Sequence, residues 1–186
     1  KTAVRSVLTS RRPAIFRSVH TSDLKCTHFK RGRGIRDVLG LPNGDIAVIC
    51  TQGELVVFAS DLSIRCFLTH DAMQRSLHCE RMACDENTLF VLTRPHGRLP
   101  SCNHVASFSA HSLSARSVST ALYFSDLQIA ATPHEVLLMP GLTTKRTVIT
   151  LDKTTLHSTS GRYTLPHVTG SVRAIAVLGS TLFISD

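Results

Sequence analysis

The sequence has no tryptophan, no long apolar run and few glutamate or lysine residues. Its longest apolar runs, such as residues 46–50 and 136–139, are far shorter than the ~20 residues of a membrane-spanning helix, so an integral helical membrane protein is excluded. Glutamate and lysine are usual surface residues of helices, whereas valine, isoleucine, threonine and serine, which are abundant here, suit strands and turns. The composition therefore predicts an all-β chain.

Sequence motifs of catalysis are also missing. The chain contains no G-x-S-x-G, no glycine-rich phosphate loop and no H-E-x-x-H. The nearest approach to a metal site is Cys79 and Cys84, followed by His96, Cys102 and His104, and this is not a standard zinc spacing. Cys79 and Cys84 flank a predicted strand, so we expect their side chains on opposite faces. We predict no enzyme activity, no cofactor and no metal.

The cysteines and the N-terminal segment bear on the compartment. Six cysteines are spread along 186 residues, most of them in apolar strand-like runs, where a thiol behaves as a small hydrophobic group. No Asn-x-Ser/Thr acceptor is present. These features predict an intracellular protein, in the cytoplasm or nucleus. Residues 1–22 are rich in arginine and serine without an acid, which resembles a mitochondrial presequence and leaves that compartment open.

Residues 35–68 predict four short strands joined by tight turns. Pro-Asn-Gly-Asp at residues 42–45 is a turn signal, because Asn-Gly supplies the positive φ of a tight hairpin, and residues 46–50 form a buried strand. The order of strand, polar turn and buried strand then recurs three times. The second strands start at Ile46, Leu89, Val136 and Leu182, with spacings of 43, 47 and 46 residues. A four-stranded period in the forties is typical of β-propeller blades.

These residues also resemble known blades. The segment GLPNGDIAVICTQGELVVFASDL resembles a blade of the NHL type, and IAVLGSTLFISD resembles the first two strands of a blade, so residues 35–186 are similar to WD-repeat and NHL-type propellers. No blade carries the Gly-His and Trp-Asp pairs of WD repeats. The resemblance implies antiparallel four-stranded blades, either in a four-bladed ring or as part of a larger propeller. Residues 1–34 form a basic N-terminal segment that we consider as outer strands of a closing blade.

A polo box is the alternative fold. The segment GLPNGDIAVICTQGELVVFASDLSIRCFL also resembles the strand meander of that phosphopeptide-docking domain. A polo box needs a long helix after its strands, and residues 71–82 are the segment available for one. This alternative therefore predicts a helix at residues 71–82.

The basic charge is concentrated at one end of the chain. The net charge is +8, and residues 1–36 contain ten Lys or Arg against one acid, Asp23. Residues 94–104 form a longer insertion with further basic groups, and surface loops are where binding residues concentrate. We predict a non-catalytic protein-interaction scaffold, part of a larger assembly, with an acidic or phosphorylated protein partner and no membrane contact. Nucleic-acid binding is the other alternative. The predicted contact residues are Arg31, Arg33, Arg36, Arg94, His96 and Arg98. We expect Arg31–Arg36 in an inter-blade connection.

Overall fold

The computed structural model describes residues 34–94, 102–124, 126–141, 147–164, 172–178 and 181–185. These ranges contain fourteen β-strands and no helix. The strands are β1 Ile35–Gly40, β2 Ile46–Cys50, β3 Leu55–Phe58, β4 Ile64–Leu68, β5 Cys79–Cys84, β6 Thr88–Thr93, β7 His104–Ser109, β8 Ala115–Val118, β9 Leu127–Ala131, β10 Glu135–Pro140, β11 Thr147–Asp152, β12 Ser158–Thr164, β13 Ala174–Leu178 and β14 Thr181–Ser185.

The strands pair antiparallel with their neighbours in sequence. They form three four-stranded sheets, which we name blade 1 (β1–β4), blade 2 (β5–β8) and blade 3 (β9–β12), and the two-stranded half-blade β13–β14. The first strand of each sheet packs against the first strand of the next: β1 on β5, β5 on β9 and β9 on β13. These four innermost strands therefore line a common axis. We call the end where β1, β5 and β9 begin the top face, and the opposite end the bottom face.

The turns of blade 1 show why the chain reverses where the sequence predicts. Gly44 has a φ of +86°, the amide of Leu41 donates to the carbonyl of Asp45 at 2.8 Å, and the Asn43 side chain accepts from the Asp45 amide at 3.1 Å. Asn-Gly therefore makes the β1–β2 hairpin, as predicted. In the next turn Gly53 has a φ of +84° and its amide donates to the carbonyl of Cys50 at 2.8 Å.

The hydrophobic core consists of three clusters, one at each junction between successive sheets. The repeat also predicts that eight second-strand residues are buried, because they occupy equivalent positions in successive blades. Five of them are: Val48, Leu89, Val91, Val136 and Leu138. The prediction is wrong for the other three, Ile46, Leu182 and Ile184, which are half-buried. Leu182 and Ile184 pack against blade 3 on one side of the half-blade. The other side of the half-blade bears the exposed Leu178 and Phe183.

The segment between β4 and β5 is a turn and not a helix. The carboxylate of Asp71 accepts hydrogen bonds from the amides of Met73 and Arg75 and from the side chain of Arg75, at 2.8 to 3.0 Å. His70 and Ser76 form an isolated antiparallel bridge that closes the turn. The polo-box alternative is therefore wrong, because a local carboxylate holds the backbone in a turn where that fold requires a helix.

The N-terminal residues are a separate unit. By internal contacts the chain divides into residues 1–31 and residues 32–186, and all the blades belong to the second unit. The predicted outer strands of a closing blade in residues 1–34 lie outside the described residues, apart from Gly34. No helix within the described ranges is long and apolar enough to cross a membrane.

Candidate partner-binding site

A pocket of about 360 Å³ lies on the top face, where the innermost strands begin. Its lining comprises Arg36, Glu80, Arg81, Arg94, Asp126 and Leu127, and we call it the arginine pocket. Arg36 is on β1, Glu80 and Arg81 are on β5, Arg94 follows β6, and Leu127 begins β9. Three blades therefore contribute to one cavity. Its volume is at the lower end of the range of ligand pockets in proteins.

Glu80 is the centre of the charge arrangement. Its Oε1 lies 2.9 Å from Nη2 of Arg94 and 3.7 Å from Nη1 of Arg36. The Glu80 side chain is only 13% exposed, whereas those of Arg36 and Arg94 are 30% and 36% exposed. Arg36 is also anchored to the backbone, because its Nη2 donates to the carbonyl of Thr51 at 3.1 Å. Two arginines from different blades thus converge on one carboxylate.

A β-bulge places Arg81 beside them. The β5–β6 register shifts between Cys79 and Arg81, and Nη1 of Arg81 donates to the carbonyl of Glu80 at 3.2 Å while its Nε donates to Oε1 of Gln128 on β9 at 3.4 Å. The three arginines and two carboxylates that line the pocket leave a net positive charge. The described lining of the pocket contains no serine, threonine, cysteine or histidine side chain.

Asp37 links blade 1 to blade 2 through hydrogen bonds of its carboxylate. Its Oδ2 accepts a hydrogen bond from the Met82 amide at 2.8 Å, and its Oδ1 accepts from the Val38 amide at 3.0 Å. Burial raises the pKa of Asp37, and the Met82 amide, the charge of Arg81 and the Val38 amide oppose this only in part. The Asp37 carboxylate therefore carries a desolvation cost that its partners do not fully offset.

The structure brings two of the six predicted contact residues together, Arg36 and Arg94. Arg36 lies within β1 itself and not in an inter-blade connection, so that expectation is wrong: β1 begins earlier than the apolar run Val38–Leu41 suggests. The other four, Arg31, Arg33, His96 and Arg98, lie outside the described residues. The sequence prediction missed Glu80, Arg81 and Asp126, although Arg36, Glu80 and Asp126 follow the blade period, with spacings of 44 and 46 residues.

The bottom face carries a second pocket, also of about 360 Å³. Here Nζ of Lys153 contacts the Asp85 carboxylate and donates to the carbonyl of Pro133 at 3.0 Å. Burial raises the pKa of Asp85, but hydrogen bonds from Lys153 and from the amides of Asn87 and Thr88 outweigh it, so the pKa is lower than usual. The Asp85–Lys153 pair joins blade 2 to blade 3, which is a structural role.

The cysteine positions correct one detail of the sequence prediction. Cys79 and Cys84 were expected on opposite faces of a strand, but both pack against the cluster between blades 1 and 2, because the β5 bulge changes the alternation of side chains. Burial raises the pKa of Cys79 to about 12, and a thiol must ionise to bind zinc. The described residues contain no group of three or more side chains suited to a metal ion, and His96 is not among them. The five described cysteines are free thiols.

Comparison with solved structures identifies the fold. No family model and no curated protein matches the sequence. U3-55K is similar at 11% identity with a TM-score of 0.60, and the WD40 repeats of RRP9 at 12% with a TM-score of 0.59. WD40 repeats build propeller blades. The chain has a β-propeller fold.

The extent of the match limits what it shows. In both cases 81% of this chain aligns with 44% of the other chain, so this chain spans less than half the length of those propellers. The computationally designed protein Ika4 is similar at 11% identity with a TM-score of 0.56, covering 84% of this chain and 87% of that one. At these identities the likeness concerns the fold, and function must be argued from the site.

Proposed function

We propose that this protein is a non-catalytic scaffold that binds another protein, as a domain or subunit of a larger assembly, and that the arginine pocket accepts an acidic or phosphorylated side chain of the partner. The observation that carries the proposal is the convergence of Arg36 and Arg94, from two blades, on one carboxylate. Arginine forks match the planar geometry of carboxylate and the oxygens of phosphate.

The position of the pocket supports this function. Its arginines are attached to strand ends that neighbouring blades hold in place, so their backbone is already ordered. Binding therefore costs less conformational entropy than it would for arginines in a surface loop. The insertion at residues 94–104 begins at Arg94, and His96 and Arg98 follow it in sequence. We propose that His96 and Arg98, and likewise Arg31 and Arg33, contact the acidic or phosphorylated partner. The free thiols of the described cysteines support an intracellular location.

The test is a binding experiment with the double variant Arg36→Gln, Arg94→Gln. The matched control is Arg116→Gln, because Arg116 is exposed on the outer strand β8, away from the pocket. The partner is captured from native extract, with and without nuclease treatment, and quantified by mass spectrometry. A hydrogen bond to a charged group contributes about 1.5–3 kcal/mol, so each lost arginine contact should weaken binding roughly tenfold or more.

The controls separate folding from binding. All three proteins should show cooperative melting curves, and the Arg116 variant should retain the partner. Equal capture by wild type and the double variant would refute the proposal. Capture that disappears on nuclease treatment would instead support the nucleic-acid alternative, since that interaction depends on the polyanion.

A further inference from the structure

Glu80 occupies the position where a partner's anionic group would meet the arginines. Its carboxylate is mostly buried and pairs closely with Arg94, at 2.9 Å. It lies 3.7 Å from Nη1 of Arg36, which is beyond hydrogen-bond distance. Glu80 therefore pairs well with one arginine and poorly with the other.

The arginine donors are not fully used by the described residues. Nε of Arg94 is buried and has no hydrogen-bond partner among them. A guanidinium has five N–H donors, and an unpartnered buried donor is costly. An oxyanion that enters the pocket would meet the partly exposed guanidinium groups of Arg36 and Arg94, and a shift of the Arg94 side chain on binding would let its Nε donate as well. The site is thus built around arginines that one carboxylate satisfies incompletely.

The charge of the lining points in the same direction. Arg36, Arg81 and Arg94 face Glu80 and Asp126, which leaves one positive charge in excess while Glu80 stays ionised and in place. An entering oxyanion therefore has a net attraction to the pocket. It is also repelled by the Glu80 carboxylate, because two like charges share the same pair of arginines.

We propose that Glu80 is an internal competitor of the partner's oxyanion, a carboxylate or phosphate group, for Arg36 and Arg94. Glu80 holds the arginines in position in the free protein and weakens the binding of an external anion. Removal of its charge should therefore tighten anion binding, where a purely supporting residue would make binding weaker when altered. The inference rests on the proposed function in taking the arginine pocket as the contact site.

The test compares Glu80→Gln with Glu86→Gln. Glu86 is exposed on the bottom face, so both changes remove one negative charge but only one acts in the arginine pocket. Inorganic phosphate and acetate are titrated separately into wild type and both variants, and the arginine Nε–H signals are followed by NMR. Because the guanidinium groups of Arg36 and Arg94 are partly exposed, solvent screens their charges and a competing ion pair contributes up to about 1 kcal/mol. Glu80→Gln should therefore lower the dissociation constant roughly twofold to fivefold, and Glu86→Gln should leave it unchanged.

The outcomes separate the sources of the anion and the two proposals. Saturable shifts of the Arg94 signal with phosphate but not acetate assign the site to phosphorylated partners, and tighter binding of acetate assigns it to carboxylates. Weaker or unchanged binding in Glu80→Gln overturns the inference, as does the absence of a saturable shift with either anion. If Glu80→Gln tightens anion binding but Arg36→Gln, Arg94→Gln still captures the partner, Glu80 competes with small anions in the pocket as inferred, but the pocket is not the partner's contact and the proposed function fails.

Discussion

Replacing Gly53 with alanine tests how closely blade 1 approaches blade 2. Gly53 has a φ of +84°, and a Cβ added there would lie 2.5 Å from Nδ1 and 2.7 Å from Cε1 of His78. The backbone cannot move away freely, because the carbonyl of Gly53 accepts a hydrogen bond from the Cys79 amide at 2.8 Å. Alanine at residue 53 must therefore displace the His78 ring or break the contact between the blades.

Gly44 provides the matched control for the size of this effect. Its φ is +86°, almost the same, but an added Cβ would meet nothing within 4 Å. A non-glycine residue in left-handed backbone destabilises the folded state by about 1–2 kcal/mol. Alanine also reduces the conformational entropy of the unfolded chain, which stabilises the folded state by about 0.4–1 kcal/mol. Gly44→Ala should thus lower the free energy of unfolding by about 1 kcal/mol. At Gly53 the overpacking against His78 destabilises the protein by about 1–3 kcal/mol more, so Gly53→Ala should lower the free energy of unfolding by about 2–4 kcal/mol.

Urea unfolding of the two variants measures the difference. Both should unfold with the slope of the wild type, so that the midpoints report stability alone. In a His78→Ala background, Gly53→Ala should cost about as little as Gly44→Ala, because the obstructing ring is gone. Equal losses for the two single variants would refute the proposed close approach of Gly53 and His78.

Three further predictions concern packing, pH and thiols. Leu89→Asp should abolish cooperative unfolding, because Leu89 is fully buried between blades, whereas Leu178→Asp, at a side chain 75% exposed, should leave a melting curve close to wild type. Asp37→Asn and Asp85→Asn should respond to pH in opposite ways in urea titrations at about pH 3 and about pH 7. The raised pKa of Asp37 means that its ionisation reduces stability as pH rises above 3.8, so Asp37→Asn should compare more favourably with wild type at pH 7. The lowered pKa of Asp85 means that its ionised carboxylate stabilises the folded protein above pH 3.8, and that this stabilisation is lost as the pH falls below that value. Asp85→Asn should therefore be less stable than wild type at pH 7 and approach it at pH 3. Reductant and chelator should leave the melting temperature unchanged, and a shift with chelator alone would contradict the structural role of the thiols.

The strands and hairpins were predictable because their signals are local. Residues 46–50 form β2 with the predicted bounds, and the turns at residues 42–45 and 51–53 hold glycines at positive φ as their sequences require. The phase of the repeat also located β6, β10 and β14 within a residue at their starts. Each of these features depends on apolar runs and turn residues that are adjacent in sequence.

Features set by contacts between blades were not predictable in this way. The bulge between Cys79 and Arg81 turns Cys79 and Cys84 to the same cluster, although simple alternation places them apart. Leu182 and Ile184 have the same pattern as fully buried residues of β6 but cover only one face of a two-stranded sheet. An apolar strand pattern predicts which side chains are buried, while the neighbouring sheet determines how much of their surface is covered.

The arginine pocket shows where the two kinds of information meet. Charge and loop length singled out Arg36 and Arg94, but neither indicates an acidic residue between them. The blade period does, because residues one period apart occupy equivalent positions on successive innermost strands: Arg36 and Glu80 are both second residues of such strands, and Asp126 directly precedes β9. One further step of 47 residues leads to the exposed Arg173, directly before β13. The four innermost strands therefore each begin beside a charged residue, two basic and two acidic, and superposing blades by period locates such a site from sequence alone.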